Sequence, residues 1–215
     1  MNKPWICFFS QTGTEIVDLV ERLGRLPDRI ITNERPENLR QINKQILSWG
    51  NIEEILYYTP NKPTVEDYER LLSKFDNPVI TLHGWLRVIP PELCEKYTMF
   101  NGHPGLITDY PELKGKDPQV RAFADINKYK VIGSVIHRVT EEIDGGEVVV
   151  IAEQAVEGSP LKINSIDGMF NVCTALSLIT WLSFFRNSDI ILETELNYDG
   201  TFKNDRENCI PIYCK

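Results

Sequence analysis

The chain of 215 residues predicts a single α/β domain with a mostly parallel, mixed sheet flanked by helices. Three observations carry this. Short apolar runs alternate with segments whose apolar residues recur at helical spacing, the pattern of strands joined by crossover helices. Two longer strand-like runs near the middle of the chain are separated by a turn signal rather than a helix, which adds an antiparallel pair. The length suffices for one well-buried core and is short for two domains of ordinary size.

The elements follow in order. Ile6-Cys7-Phe8-Phe9 reads as a strand, broken by Ser10-Gln11-Thr12-Gly13. A helix follows with Ile16, Leu19, Val20 and Leu23 on one face. Arg29 to Thr32 is a second strand, followed by a helix through Leu39, Ile42, Ile46 and Leu47. Glu54 to Tyr58 is a third strand, then comes a helix with Tyr68, Leu71, Leu72 and Phe75 inward. Val79 to Leu82 is the fourth strand. A short helix from Pro91 to Tyr97 feeds a strand ending at Asn101. Val131 to Val139 and Glu147 to Ala152 form the antiparallel pair around Asp144-Gly145-Gly146. A long helix from Leu161 to Phe185 covers the sheet, followed by a short strand at Ile190 to Leu192. Residues 1–202 form the expected catalytic domain, and 203–215 a polar, irregular C-terminal tail.

Composition narrows the function. With 31 acidic and 23 basic side chains the net charge is −8, so no broad attraction for nucleic acid or an anionic membrane is expected. Any anion must be met locally. The cysteines number five, with no Cys-x-x-Cys pair, which fits reduced thiols and a cytoplasmic location. Met1 to Trp5 lacks the apolar core of a signal peptide. The most apolar run, Cys173 to Phe185, includes Ser177, Thr180 and Ser183 and reads as a buried core helix. His83, His103 and His137 are too scattered to form a metal site, and no metal is expected.

The chemistry concentrates in Phe100-Asn101-Gly102-His103-Pro104-Gly105 and in the downstream Asp144. In an extended segment residues i and i+2 point the same way, so Asn101 and His103 reach one substrate atom from a single strand end. Pro104 restricts His103 to extended backbone angles. An amide donor, an imidazole and a distant carboxylate supply what acyl transfer to an amine needs: stabilisation of an oxyanion, proton transfer, and a charge that tunes the histidine. Asp144 beside His103 is expected to raise the imidazole pKa. Asp-Gly-Gly is also an ordinary turn sequence, and Thr12 or Thr14 can serve simply as a helix cap.

Several blocks share their order and spacing with one family. They are Gly84-Trp85-Leu86-Arg87-Val88-Ile89-Pro90-Pro91, Asn101-Gly102-His103-Pro104, Tyr110-Pro111, Gly133 to Val139, and Glu141-Glu142-Ile143-Asp144-Gly145-Gly146-Glu147-Val148-Val149. In these the chain resembles the folate-dependent formyltransferases over about residues 5 to 200. The resemblance implies a Rossmann-like three-layer formyltransferase fold, 10-formyltetrahydrofolate as cosubstrate and a primary amine as acceptor. It implies catalytic roles for Asn101, His103 and Asp144 and a supporting one for His137. Leu86, Arg87, Val88, Ile89, Glu141 and Ile143 would line the folate pocket. The acceptor it favours is phosphoribosylglycinamide, with Gln11, Thr12, Gly13 and Thr14 at its phosphate and Asn171 near its ribose. Other readings stay open: a nucleotide-linked amino sugar as acceptor, hydrolysis of the same folate, or a non-catalytic folate- or nucleotide-binding module. Partners are thus small molecules, with neither nucleic acid nor membrane, and homo-oligomerisation left open. Gly105 to Thr108 and Glu112 to Pro118 depart from the family pattern on the acceptor side.

Overall fold

The computed structural model describes residues 3–35, 41–158 and 163–187, together with the backbone of Ile212–Cys214. Among the described residues eight strands form one sheet: β1 (Trp5–Phe9), β2 (Arg29–Thr32), β3 (Leu56–Tyr58), β4 (Val79–Leu82), β5 (Met99–His103), β6 (Val131–Arg138), β7 (Val148–Ala155) and β8 (Ile212–Cys214). Their spatial order is β3-β2-β1-β4-β5-β6-β7-β8. The first five are parallel, and β6, β7 and β8 join antiparallel. The helices are α1 (Thr14–Leu23), α2 (Lys44–Leu47), α3 (Ile52–Ile55), α4 (Val65–Leu72), α5 (Pro91–Lys96), α6 (Pro118–Ala124) and α7 (Ile166–Arg186).

Alternation along the strands sorts the core into two layers. Ile6, Phe8, Ile80, Leu82 and Met99 face one side and pack with Tyr68, Leu71 and Leu72 of α4 and Leu93 of α5. Trp5, Cys7 and Phe9 face the other and meet α1 and the second half of α7. The start of α7 packs with Ile132, Ala152 and α6 residue Ala122. By length and composition α7 could cross a membrane. Leu176, Trp181 and Phe185 are nevertheless completely buried against the sheet, as expected of a core helix. Its start is fixed by Ser165, whose side chain accepts from the Gly168 amide at 3.0 Å.

The structure departs from the expected elements in several places. Helix α7 starts at Ile166, behind the Ser165 cap, rather than at Leu161. Glu54 and Ile55 close the helical turn α3 instead of opening β3, because Asn51 starts a turn in which the Glu54 amide bonds back to its carbonyl. The helix expected through Leu39 to Leu47 is only the single turn α2, capped by Asn43, and Leu39 lies outside the described residues. Helix α6, entered by Pro118, was not expected at all. The tail is not irregular throughout, since Ile212–Cys214 pairs with β7. The strand expected at 190–192 lies outside the described residues.

Candidate active site

Strand β5 ends at the carboxyl edge of the parallel sheet, where open α/β sheets place their ligands. Asn101 and His103 project from one face of it, and His137 stands beside Asn101 on β6 through the register Asn101↔His137. The turn between β6 and β7 folds back over this face and delivers Asp144. That turn requires unusual backbone: Asp144 has φ 49°, and a Cβ on Gly146 would overlap the Arg138 carbonyl oxygen. Aspartate tolerates the left-handed region better than most residues.

The Asp144 carboxylate joins the cluster. Its Oδ2 lies 3.3 Å from His103 Nδ1 and accepts from the Gly115 amide at 2.8 Å. Its Oδ1 lies 3.2 Å from His137 Nε2 and 3.4 Å from Asn101 Nδ2. Burial alone would raise this carboxyl, but the His137 contact, the His103 charge and the Gly115 amide bring it down to about 2. Asp144 is thus an anion throughout the neutral range.

Each histidine uses its far nitrogen on a backbone carbonyl. His103 Nε2 donates to Leu113 at 2.9 Å, and His137 Nδ1 donates to Arg138 at 3.0 Å. A carbonyl only accepts, so those nitrogens carry hydrogens. His103 Nδ1 therefore faces the carboxylate favourably only when the ring is protonated. Burial lowers the His103 pKa below the ordinary histidine value, opposed by the Asp144 charge and the Leu113 carbonyl. The expected upward shift is corrected in its net direction: Asp144 does pull upward, and the buried position of the ring outweighs it.

Asn101 is oriented by its neighbours. Its Nδ2 stands 3.1 Å from His137 Nε2, and a carboxylate oxygen lies beside the same atom, so the nitrogen rather than the oxygen of the amide must point this way. The Nδ2–Nε2, Nδ2–Oδ1 and Nε2–Oδ1 distances are nearly equal. The two neighbours therefore subtend about 60° at Nδ2, whereas the two amide hydrogens diverge by about 120°. One hydrogen faces this pair, and the second has no partner among the described residues.

The segments expected to hold the folate flank this cluster. Ser10 Oγ accepts from the Leu86 amide at 2.9 Å. Arg87 folds onto Asn61, donating to its backbone oxygen at 2.6 Å and to its side chain. Glu141 is exposed, and its charge reaches Cys94 on α5. Of five exposed large apolar side chains among the described residues, three lie in these two segments: Leu86 at 54%, Val88 at 68% and Ile143 at 61%. Apolar exposure concentrated beside a polar cluster suits a flat aromatic ligand such as a pterin. Ile89 differs, being buried in the α4–α5 core.

On the other side of the sheet, Gln11, Thr12, Gly13 and Thr14 form the loop into α1. Thr12 Oγ1 accepts from the Thr14 amide at 3.3 Å and its hydroxyl at 3.0 Å, and the Thr12 carbonyl accepts from the Asn43 amide. Asn171 is exposed on α7, and no hydrogen bond joins it to this loop among the described residues. What brings α7 to α1 is Glu15, which sequence reasoning passed over: its carboxylate accepts from Ser177 at 2.5 Å and Trp181 at 3.0 Å and meets His83 Nδ1 at 2.7 Å. Its one sequence signal was an acidic residue in the first turn of a helix. The Leu113 carbonyl and Gly115 amide were also missed, and backbone groups leave no such signal.

An Asn-x-His strand end and a carboxylate folded over it thus form one polar cluster at the carboxyl edge of a Rossmann-like α/β sheet. The chain belongs to the formyl transferase family, whose sequence profile matches residues 25–159. It is 37% identical over 84 residues to a Dictyostelium discoideum phosphoribosylglycinamide formyltransferase, over 35% of this chain and 39% of that protein. An Escherichia coli K12 protein of the same name is 31% identical over 97 residues, covering 42% and 43%. The chain thus spans less than half the length of the curated relatives it matches. Among solved structures, the Anaplasma phagocytophilum phosphoribosylglycinamide formyltransferase has a TM-score of 0.68 at 17% identity, covering 84% of each chain. A formyltetrahydrofolate deformylase from Pseudomonas syringae has a TM-score of 0.69 at 23% identity, covering 86% of this chain and 61% of that one. At these identities the structural likeness establishes the fold.

Proposed function

We propose that this chain transfers the formyl group of 10-formyltetrahydrofolate to a primary amine, with phosphoribosylglycinamide as the acceptor. The observation that carries this reading is the convergence of Asn101, His103 and Asp144, with Asp144 touching both other residues through different oxygens. The names of the two curated relatives support the acceptor. The Leu86–Ile89 segment and the Glu141–Ile143 turn hold the folate, and Gln11 to Thr14 receive the phosphate end of the acceptor, with Asn171 toward its ribose.

As the neutral amine attacks the formyl carbon, negative charge grows on the formyl oxygen. Asn101 meets it with its second amide hydrogen. His103 meets it with Nε2–H, exchanging the Leu113 carbonyl for the substrate oxygen. The Asn101 donor is placed before reaction and needs no reorganisation when the charge appears, whereas His103 has one hydrogen bond to exchange. Asp144 favours the charged form of His103 as that charge grows, and His137 holds the Asn101 amide in register. Through water, Asp144 moves the amine proton toward the departing folate nitrogen. No covalent enzyme intermediate is needed. The three described cysteines are free thiols, in keeping with a cytoplasmic enzyme.

The test is transformylation followed by tetrahydrofolate release, with phosphoribosylglycinamide as acceptor, water alone as the blank and His103→Ala as control. Acceptor-dependent release that disappears in the variant supports the reading. Release without acceptor makes the chain a hydrolase, and unchanged release in the variant removes His103 from the mechanism.

A further inference from the structure

We propose that Glu15 is a positioning residue for the catalytic strand, acting through Trp181 on Gly102. The inference rests on the assignment of Asn101 and His103 as catalytic, and it concerns the opposite face of their strand.

Gly102 lies between those two residues, so its missing side chain would point away from the site. That space is filled by Trp181. A Cβ on Gly102 would come within 2.7 Å of the indole nitrogen and 3.0 Å of Cε2 and Cζ2. The strand backbone that carries Asn101 and His103 therefore rests directly on the indole, with no side chain between them. The indole is completely buried and wedged by Phe184, Phe185 and His83, whose ring centres are 5.7, 5.9 and 4.5 Å away.

The remaining freedom of the indole is a tilt about its contacts, and its single polar group removes it. Nε1 donates to Glu15 at 3.0 Å. Glu15 is itself fixed by Ser177 and His83, and His83 Nε2 is 2.8 Å from Thr81 Oγ1, which accepts from Trp5 at 2.9 Å. One carboxylate, 26% exposed, thus ties α1, the end of β4 and α7 together behind β5. Three contacts take up most of the accepting capacity of the carboxylate, and one of them is with the indole that fills the space left by Gly102.

The test compares Glu15→Gln, Trp181→Phe and the double variant. The glutamine is isosteric but offers its neighbours one acceptor oxygen and an NH2 group. The phenylalanine keeps a ring and loses the N–H. Each single variant is expected to lower kcat by about ten- to a hundredfold, the range of small misplacements at a reacting centre, with little change in the KM for folate. The double variant is expected to be no slower than the worse single one. Multiplying effects, or a KM effect without a kcat effect, would overturn the proposal.

A second readout does not depend on turnover: the imidazole resonances of His103 and the side-chain amide resonances of Asn101. They are expected to shift in both single variants, and unchanged resonances would sink the idea even if the wild type transferred no formyl group. Absence of transfer by the wild type counts against the proposed function alone. Should Glu15→Gln fail to fold, Ser177→Ala removes one of the three contacts and is expected to move the same resonances in the same direction by less.

Discussion

His103 Nδ1 stands 3.3 Å from Asp144 Oδ2, a contact that is attractive only when the nitrogen carries a proton, because Nε2 already spends its hydrogen on Leu113. The neutral ring would turn a lone pair toward a carboxylate. Asp144 thus supplies the upward pull on a histidine whose burial lowers its pKa. Replacing it with asparagine removes the charge and offers an N–H to that lone pair, which favours the neutral ring. The His103 titration, followed by its imidazole resonances, is expected to move further down in Asp144→Asn. Turnover near neutral pH is expected to fall by roughly a hundred- to ten-thousandfold, the span of lost acid–base assistance. An upward move of that titration would contradict the geometry.

The same carboxylate links the site to acid stability. Its folded pKa of about 2 lies below the ordinary aspartate value of 3.8, so it binds protons more readily in the unfolded chain. A depressed acid contributes stability that is complete above its unfolded pKa and is lost as pH falls toward the folded value. The window is therefore about pH 4 down to about pH 2, and the shift corresponds to roughly 2 kcal/mol. Denaturant unfolding at stepped pH is expected to show a shallower loss in Asp144→Asn than in the wild type across that window. Parallel curves would show that the asparagine variant had lost nothing titratable there.

Asn101 offers a separate check on the oxyanion assignment. Since one amide hydrogen faces His137 and Asp144 and the other has no partner among the described residues, Asn101→Ala removes a donor without stranding a charge. A loss of about a hundred- to a thousandfold in kcat is expected, with the melting temperature close to that of the wild type. His137→Phe, which keeps the ring and removes the nitrogen that orients the amide, is expected to lose less. If His137→Phe were the slower of the two, His137 would belong to the chemistry rather than to its support.

Gly146 places the carboxylate, and it does so by having no side chain. A Cβ there would run into the Arg138 carbonyl, which is backbone and cannot swing aside. The turn must deform or the β6–β7 pairing must open. Gly146→Ala is expected to destabilise the fold by about 1–3 kcal/mol, the usual range for overpacking, and to reduce turnover more than that loss explains, because Asp144 moves with the turn. Thermal unfolding together with kcat separates the two effects. Full activity at an unchanged melting temperature would mean the turn has a second route past Arg138.

How much of this was legible depended on the kind of signal. Strand β4 was read to the residue because its four apolar and β-branched positions are bounded by Pro78 before and His83 after. Asn101 and His103 were legible because their spacing along one strand survives in a sequence, whereas Asp144, in an ordinary turn sequence, was marked out by the family resemblance of the residues around it. Helix α3 was not, since Glu54 and Ile55 sit at the edge of an apolar run that suits a strand equally well, and a local bond to Asn51 decides the matter. The Leu113 carbonyl and the Gly115 amide complete the site from the backbone, where residue identity carries no trace. Glu15 was visible as a helix-start acid, but its partners Ser177 and Trp181 are 162 and 166 positions away.

The two segments proposed to hold the folate yield a prediction that separates binding from catalysis. Ile143 is 61% exposed and Val88 is 68% exposed, so neither contributes much to the core, and polar replacements there leave little apolar surface newly stranded. If both segments cover the pterin and aminobenzoyl rings, each side chain becomes buried only when the folate binds. Full burial of such a side chain is worth about 1.5–3 kcal/mol, which corresponds to roughly ten- to a hundredfold in affinity. Ile143→Asp and Val88→Asp are therefore expected to raise the folate KM by about that factor while the melting temperature holds. Ile143→Asp adds a second reading, because it places another carboxylate next to Asp144 and is expected to raise the Asp144 pKa through like-charge repulsion, whereas Val88→Asp is not. A folate KM indifferent to both substitutions would move the ligand away from these two segments and leave their exposed apolar surface unexplained.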